Sequence, residues 1–207
     1  MKTVRVLAVA AIVIMLTFTP ALAGFYAGFQ IGPNFATGSN TSIDAFGRTY
    51  YPGNPSFDTG FMVGVQGGYD FLNTQRQFPA WTKYLTLAVD YQYNPLNQGD
   101  WKGNQNALAF LAIFKYPMKQ SERFPNGRLF PYVGAGPAIV WTSIEGAQSN
   151  GVGVVVEPGV RFMFTPKVSG DVAYRFRYAQ PKFSNEGIDT RFDNVNHSVV
   201  FRVSYHF

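Results

Sequence analysis

The 207-residue chain contains no cysteine. That absence excludes disulfides, thiolate metal sites, thiol catalysis and lipid attachment to an N-terminal cysteine. Histidine is almost missing as well, with His197 and His206 alone. Charge is sparse: Asp, Glu, Lys and Arg make up 14% of the residues, and the basic ones form no cluster of the kind that binds nucleic acid. After residue 23 no apolar stretch approaches the ~18 residues that a membrane-spanning helix needs. No phosphate-binding glycine loop, nucleophile elbow or zinc-binding helix motif occurs. No catalytic residue, metal ligand or cofactor is therefore expected.

What is abundant is aromatic residues, at 17%, together with 21 glycines and 13 prolines. Such a composition favours strands and turns over helices.

The first residues differ from the rest. Lys2 and Arg5 precede an apolar run of 13 residues from Val6 to Phe18, and Ala21-Leu22-Ala23 follows. This is the three-part pattern of a secretory signal peptide, with cleavage expected between Ala23 and Gly24. The expected organisation is a leader over 1–23 and one domain over 24–207. Loss of Lys2 and Arg5 leaves 15 basic against 12 acidic residues, so the exported product is nearly neutral.

Separating odd from even positions exposes the dominant pattern. Phe61, Val63, Val65, Tyr69 and Phe71 alternate with Gly60, Met62, Gly64, Gln66, Gly68 and Asp70. Leu85, Leu87, Val89, Tyr91 and Tyr93 alternate with Thr86, Ala88, Asp90, Gln92 and Asn94. Val152, Val154, Val156, Val160, Phe162 and Phe164 stand opposite Gly153, Glu157, Gly159 and Arg161. Val172, Tyr174, Phe176 and Tyr178 oppose Asp171, Ala173, Arg175 and Arg177, while Val199, Phe201, Val203, Tyr205 and Phe207 oppose Asn196, Ser198, Arg202, Ser204 and His206. Alternation this long exceeds the usual globular strand and suits a tilted strand crossing a bilayer. GFYAGFQIGPNF, QNALAFLAIFKY and FPYVGAGPAIVW bring the strand count to eight.

The two faces decide which solvent each meets. A soluble barrel turns its oily face inward, but here the face of Val, Leu, Phe and Tyr is almost continuous, and the other carries Asp90, Glu157, Arg161, Asp171, Arg175, Arg177 and Arg202. An oily face that broad would aggregate in water. The expected fold is all-β: an eight-stranded antiparallel transmembrane β-barrel of the bacterial outer membrane, surrounded by outer-membrane lipid and monomeric.

With the chain entering from the periplasm, outer loops are expected near 36–58, 95–104, 143–150 and 180–195, and inner turns near 72–83, 117–129 and 165–167. Trp81, Trp101 and Trp141 fall near strand ends, where aromatic girdles sit. An eight-stranded barrel leaves room only for side chains inside, so its inward charges must pair. Counting back from the turn at Thr165 to Lys167 places Arg161 near Asp171, and Glu157 near Arg175 or Arg177. The expectation is a lumen plugged by ion pairs; the alternative is a narrow porin-like channel for small solutes. Pro137 and Pro158, counted through the loop between them, fall nearly opposite each other and predict one shared bulge. His197 and His206 lie on opposite faces, which argues against a shared metal site.

FYAGFQIG, FPYVGAGPAIVW, DVAYRFRY and HSVVFRVSYHF, in this order, resemble the OmpA-like outer-membrane β-barrel family that includes porin-like and opacity-type proteins. That resemblance implies a barrel without catalysis whose variable outer loops contact surfaces or ligands. The alternating end Val199, Phe201, Val203, Tyr205 and Phe207 is similar to the C-terminal signature of outer-membrane proteins, which implies recognition by the barrel assembly machinery. The segment YRFRYAQPKFSNEGI is similar to the lipid A deacylase barrels. Ser184 and Asn185 match that family's pattern, but Lys182 occupies the place of its catalytic histidine, and lysine does not activate a serine as imidazole does.

Overall fold

The structure, a computed structural model, describes residues 24–45, 48–50, 58–71, 80–98, 101–144, 147–185 and 188–207. The expected leader lies outside them, as do parts of the expected connections at 36–58 and 72–83.

Among the described residues ten strands follow one another: β1 (Phe25–Ala45), β2 (Arg48–Tyr50), β3 (Gly60–Asp70), β4 (Leu85–Gln98), β5 (Trp101–Lys115), β6 (Leu129–Ile144), β7 (Ala147–Thr165), β8 (Val168–Ala179), β9 (Lys182–Asn185) and β10 (Ile188–His206). They form one antiparallel sheet in the order β2-β1-β3-β4-β5-β6-β7-β8-β10-β9, and β1 also pairs with β10. That last pairing closes the sheet into a barrel of eight long strands, with β2 and β9 as short additions. The closing seam starts at Tyr26↔His206, and beyond it the Phe207 amide donates to the Phe25 carbonyl at 3.0 Å. The final strand therefore has no free edge.

Parity sets the two faces. Phe61, Val65, Val152, Phe201 and Val203 are exposed on the outside, Val152 by 80%, while Gln66, Asp90, Glu157, Arg175 and Arg202 are buried inside. Such an inversion of the usual globular arrangement is stable only with lipid as the outer solvent.

The connections differ from expectation at the outer end. The expected loops at 95–104 and 143–150 are largely strand: β4 and β5 stay paired to Gln98↔Trp101, and β6 and β7 to Ile144↔Ala147. Likewise β1 extends to Ala45 and pairs with β2, and within 180–195 β9 pairs with β10. These ribbons are rich in Asn, Gln, Ser, Thr and Gly, so they lack the apolar alternation that marks a strand. Their backbones nonetheless keep the ladder hydrogen bonds. Apart from β3, with 11 residues, the barrel strands run to 12–21 residues and exceed the ~9–11 needed to cross the bilayer, and the excess projects outward as two-stranded hairpins. At the inner end, the Thr165 hydroxyl accepts from the amides of Lys167 and Val168 at 3.2 and 3.0 Å to close a tight turn. The connection from β5 to β6 is held by the bridges Met118↔Leu129 and Ser121↔Phe124, and a 3-10 helix (Ala80–Tyr84) leads into β4.

The single bulge expected at Pro137 and Pro158 is not there. The β6–β7 ladder is continuous, with Pro137 opposite Val154 and Pro158 opposite Val133, four residues apart. Each proline instead interrupts its other seam. The β5–β6 ladder skips from Ala109↔Ala138 to Ala112↔Ala135, and the β7–β8 ladder from Val156↔Phe176 to Gly159↔Ala173. Pro33 does the same at the closing seam, between Ile31↔Phe201 and Asn34↔Ser198. Register resumes unchanged after each gap, because a missing N–H removes one bond without adding a residue.

Candidate functional site: the charged lumen

Among the described residues, nine charged side chains are buried, four acids and five bases. Eight of them form one alternating chain along the lumen. At the inner end Lys115 pairs with Asp70, whose other oxygen lies 3.6 Å from Arg161 Nη1. Arg161 grips Asp171 with two bonds, Nε to Oδ1 at 2.9 Å and Nη2 to Oδ2 at 3.1 Å. Arg202 bridges Asp171 at 3.0 Å and Glu157 at 2.9 Å. Arg175 Nε donates to Glu157 Oε2 at 2.6 Å, and its two terminal nitrogens hold Asp90 at 2.9 and 3.0 Å. The order is Lys115, Asp70, Arg161, Asp171, Arg202, Glu157, Arg175, Asp90, and no side chain in it is more than 8% exposed.

Neutral groups fill the remaining valences, as buried carboxylates and guanidinium groups require. Gln30 and Gln66 donate to Asp90 Oδ2 at 2.9 and 3.0 Å. The Gln30 carbonyl oxygen accepts from Arg202 Nε at 3.1 Å and Nη2 at 2.9 Å. Tyr132 donates to Glu157 at 3.1 Å, and Thr86 donates to Asp70. The Arg161 guanidinium also lies 4.8 Å from the Tyr26 ring centre.

Arg177 is the exception. It was expected among the ion pairs, but no carboxylate lies within salt-bridge reach of it among the described residues. Its partners are amides: Nη1 donates to Gln92 Oε1 at 3.0 Å and Nη2 to Gln105. With the Asn94 amide oriented as its surroundings demand, its oxygen accepts from Arg177 at 3.1 and 3.3 Å. Among the described residues, Arg177 Nε and Asn194 Nδ2 have no partner. The physical reason is depth. Parity brings Arg177 to the inner face, but two residues beyond Arg175 the lumen wall changes from carboxylates to Gln92, Asn94, Gln105, Asn194 and Asn196.

Asp70 and Lys115 were not singled out from the sequence. Both occupy the inward parity of their strands, which is the signal that would have found them. They line a cavity of about 240 Å³ at the inner end, shared with Arg161 and His206 and bordered by Phe124 and Met163. His206 points inward, bonded to the Ser169 hydroxyl at 2.9 Å. His197 points outward and shares a hydrogen bond with the Tyr174 hydroxyl. Ser184 and Asn185 pair through their backbones with Asp189 and Ile188, and their side chains lie outside the described residues, as does that of Trp101. Trp81 and Trp141 are exposed. Phe201, Val203 and Tyr205 are exposed on the outer face of β10, Val199 is partly so, and the Phe207 ring packs edge-on against Tyr205 at 5.2 Å.

A closed antiparallel barrel of eight spanning strands, oily outside and charged inside, defines an outer-membrane barrel. The family of the outer membrane protein beta-barrel domain matches residues 7–207, and the chain belongs to it. Among solved structures the chain is similar to Neisserial surface protein A, at 20% identity and a TM-score of 0.64 over 89% of this chain and 98% of that one. It is also similar to the outer membrane protein OprG from Pseudomonas aeruginosa, at 15% identity and a TM-score of 0.53 over 89% and 97% of the two chains. At these identities the likeness concerns the fold. No curated protein matches the sequence. The protein resides in the outer membrane.

Proposed function

We propose that this barrel is a non-catalytic surface protein whose lumen is plugged by the eight-member ion-pair chain and whose projecting hairpins meet ligands or surfaces outside the cell. The observation that carries this reading is the continuity of the chain from Lys115 to Asp90. Every guanidinium in it bridges two carboxylates, so an ion entering the lumen would have to break several buried, charge-assisted contacts at once. The hairpins support the second half of the reading: segments of polar sequence, paired through their backbones, extend from the outer end of the barrel. The alternating end Val199, Phe201, Val203, Tyr205 and Phe207 serves recognition by the assembly machinery, and the closed β1–β10 seam lets a single chain suffice.

The test is single-channel recording on the refolded, heat-modifiable protein over 24–207 in a planar bilayer. A folded barrel without discrete openings is the expected result. Steady openings would replace the plug by a narrow pore, a reading for which uncompensated Arg177 would supply anion preference.

A further inference from the structure

The inner rim carries a feature that the lumen does not use. Among the described residues of the inner connections, 71, 80–84, 116–128 and 166–167, the bases are Lys83, Lys119, Arg123, Arg128 and Lys167, against the single acid Glu122. Aromatic rings are interleaved with them: Lys83 lies over Tyr84 at 5.0 Å, Arg128 over Phe162 at 4.6 Å and Lys167 over Tyr205 at 5.9 Å. Phe25 and Phe207 meet at this end, opposite the projecting hairpins, which places the rim on the periplasmic side at the headgroups of the inner leaflet.

At one place the rim becomes a pocket. Tyr84, from the 3-10 helix, and Tyr116, directly after β5, stack with ring centres 6.1 Å apart and planes 6° from parallel. On their water side is a polar hollow of about 330 Å³, whose lining among the described residues includes Lys83, Lys119, Gln120 and no carboxylate side chain. On their membrane side is an apolar groove of about 560 Å³ bounded by Phe114, Pro131 and Val133, and the two tyrosines wall both spaces. Lys119 has φ 56°, the left-handed region in which glycine or asparagine is easier to hold than lysine. Among the described residues it is the one non-glycine so placed, and it is among the residues that line the hollow.

We infer that the Lys83–Lys119 hollow and the adjoining groove form a site for one anionic glycerophospholipid of the inner leaflet, phosphate against the two lysines and one acyl chain along Phe114, Pro131 and Val133. Charge complementarity selects the headgroup. The ammonium of a zwitterionic ethanolamine lipid would find two lysines and no carboxylate in the hollow, whereas a glycerol headgroup adds hydroxyls without positive charge. The long lysine stems reach along the aromatic rings while their ammonium groups stay at the interface.

Native mass spectrometry of the refolded barrel over 24–207 tests this, with phosphatidylglycerol and phosphatidylethanolamine of identical acyl chains offered together. The wild type should retain one phosphatidylglycerol in preference by about tenfold. The double variant Lys83→Gln/Lys119→Gln should lose the preference, and Lys167→Gln, on the rim but outside the pocket, should keep it. Glycerophosphoglycerol, the headgroup without acyl chains, should bind far more weakly. Heat-modifiable migration establishes that each variant is folded. Equal retention of the two lipids by the wild type, an unchanged preference in the double variant, or an equal loss in Lys167→Gln would overturn the site, the last by reducing it to diffuse rim charge. Tight binding of the headgroup alone would overturn the role of the groove.

Discussion

Arg177 and Glu157 lie in the same lumen, and their surroundings predict opposite responses to losing a charge. Glu157 is held by Arg175, Arg202 and Tyr132. Glu157→Gln leaves two buried arginines with half their compensation, and removing one partner of a buried pair typically costs about 3–5 kcal/mol. Among the described residues Arg177 has only neutral partners, so Arg177→Met removes an uncompensated buried charge while keeping most of the stem's packing. Its unfolding free energy should stay within about 1 kcal/mol of wild type or rise. Guanidinium chloride unfolding of the refolded barrel in micelles checks both; a Glu157→Gln variant no weaker than Arg177→Met would contradict the assignment. The difference between the two residues was only half legible in the sequence. Arg161 and Asp171 flank a tight turn at nearly equal distances, so counting from the turn brings them together. Asp90 and Arg175 are 85 residues apart and meet across the lumen, where nothing local encodes the contact. Parity turned Arg177 inward like its neighbours, but parity carries no information on depth.

At the scale of the strands, the prolines and the glycines beside them form a unit. A Cβ on Gly32 would come within 1.7 Å of the Val199 carbonyl oxygen, and one on Gly136 within 1.8 Å of the Phe110 oxygen. Each glycine directly precedes a proline at an interrupted seam, and the facing carbonyl folds over the space that a side chain would occupy. Gly67, on the outer face of β3, is the internal control: an added Cβ there meets nothing nearer than 3.8 Å. Gly32→Ala and Gly136→Ala should therefore destabilise by at least the ~1–3 kcal/mol of an overpacked site, while Gly67→Ala should cost less than about 1 kcal/mol. Urea midpoints and the folded fraction on unheated gels measure this, and equal behaviour of the three would refute the close approach. The eight spanning strands could be read from alternation because lipid on one side and packed charge on the other impose a period of two. The outer ribbons could not, since both of their faces are polar, and neither could the offset of Pro137 and Pro158, which depends on how tightly the hairpin turns beyond Ile144.

For the whole molecule, the alternating order of the charge chain makes the proposed plug separable from the fold. Glu157 and Arg202 are neighbours in its middle, and replacing both by alanine removes one charge of each sign. Lys115, Asp70, Arg161 and Asp171 then remain as a neutral group on one side, joined by the bonds of Arg161 to Asp171 at 2.9 and 3.1 Å. Arg175 and Asp90 remain as a neutral pair on the other, joined at 2.9 and 3.0 Å. Neither fragment contains an unpaired ion, so the penalty for stranding a buried charge does not arise. The ladder hydrogen bonds around the barrel, which carry the backbone through the membrane, are untouched. What is lost is the volume of two large side chains at the centre of the lumen and the continuity of the plug. Glu157→Ala/Arg202→Ala should thus fold, migrate as a compact barrel before heating, and show discrete conductance steps where the proposed plug would keep the wild type silent. Single substitutions at either position should be less stable than the double, because each leaves the other residue's charge behind. A double variant that folds and stays silent would move the seal away from the ion pairs, to the amide tier around Arg177 or to the buried apolar cluster that Phe124, Phe130 and Met163 form.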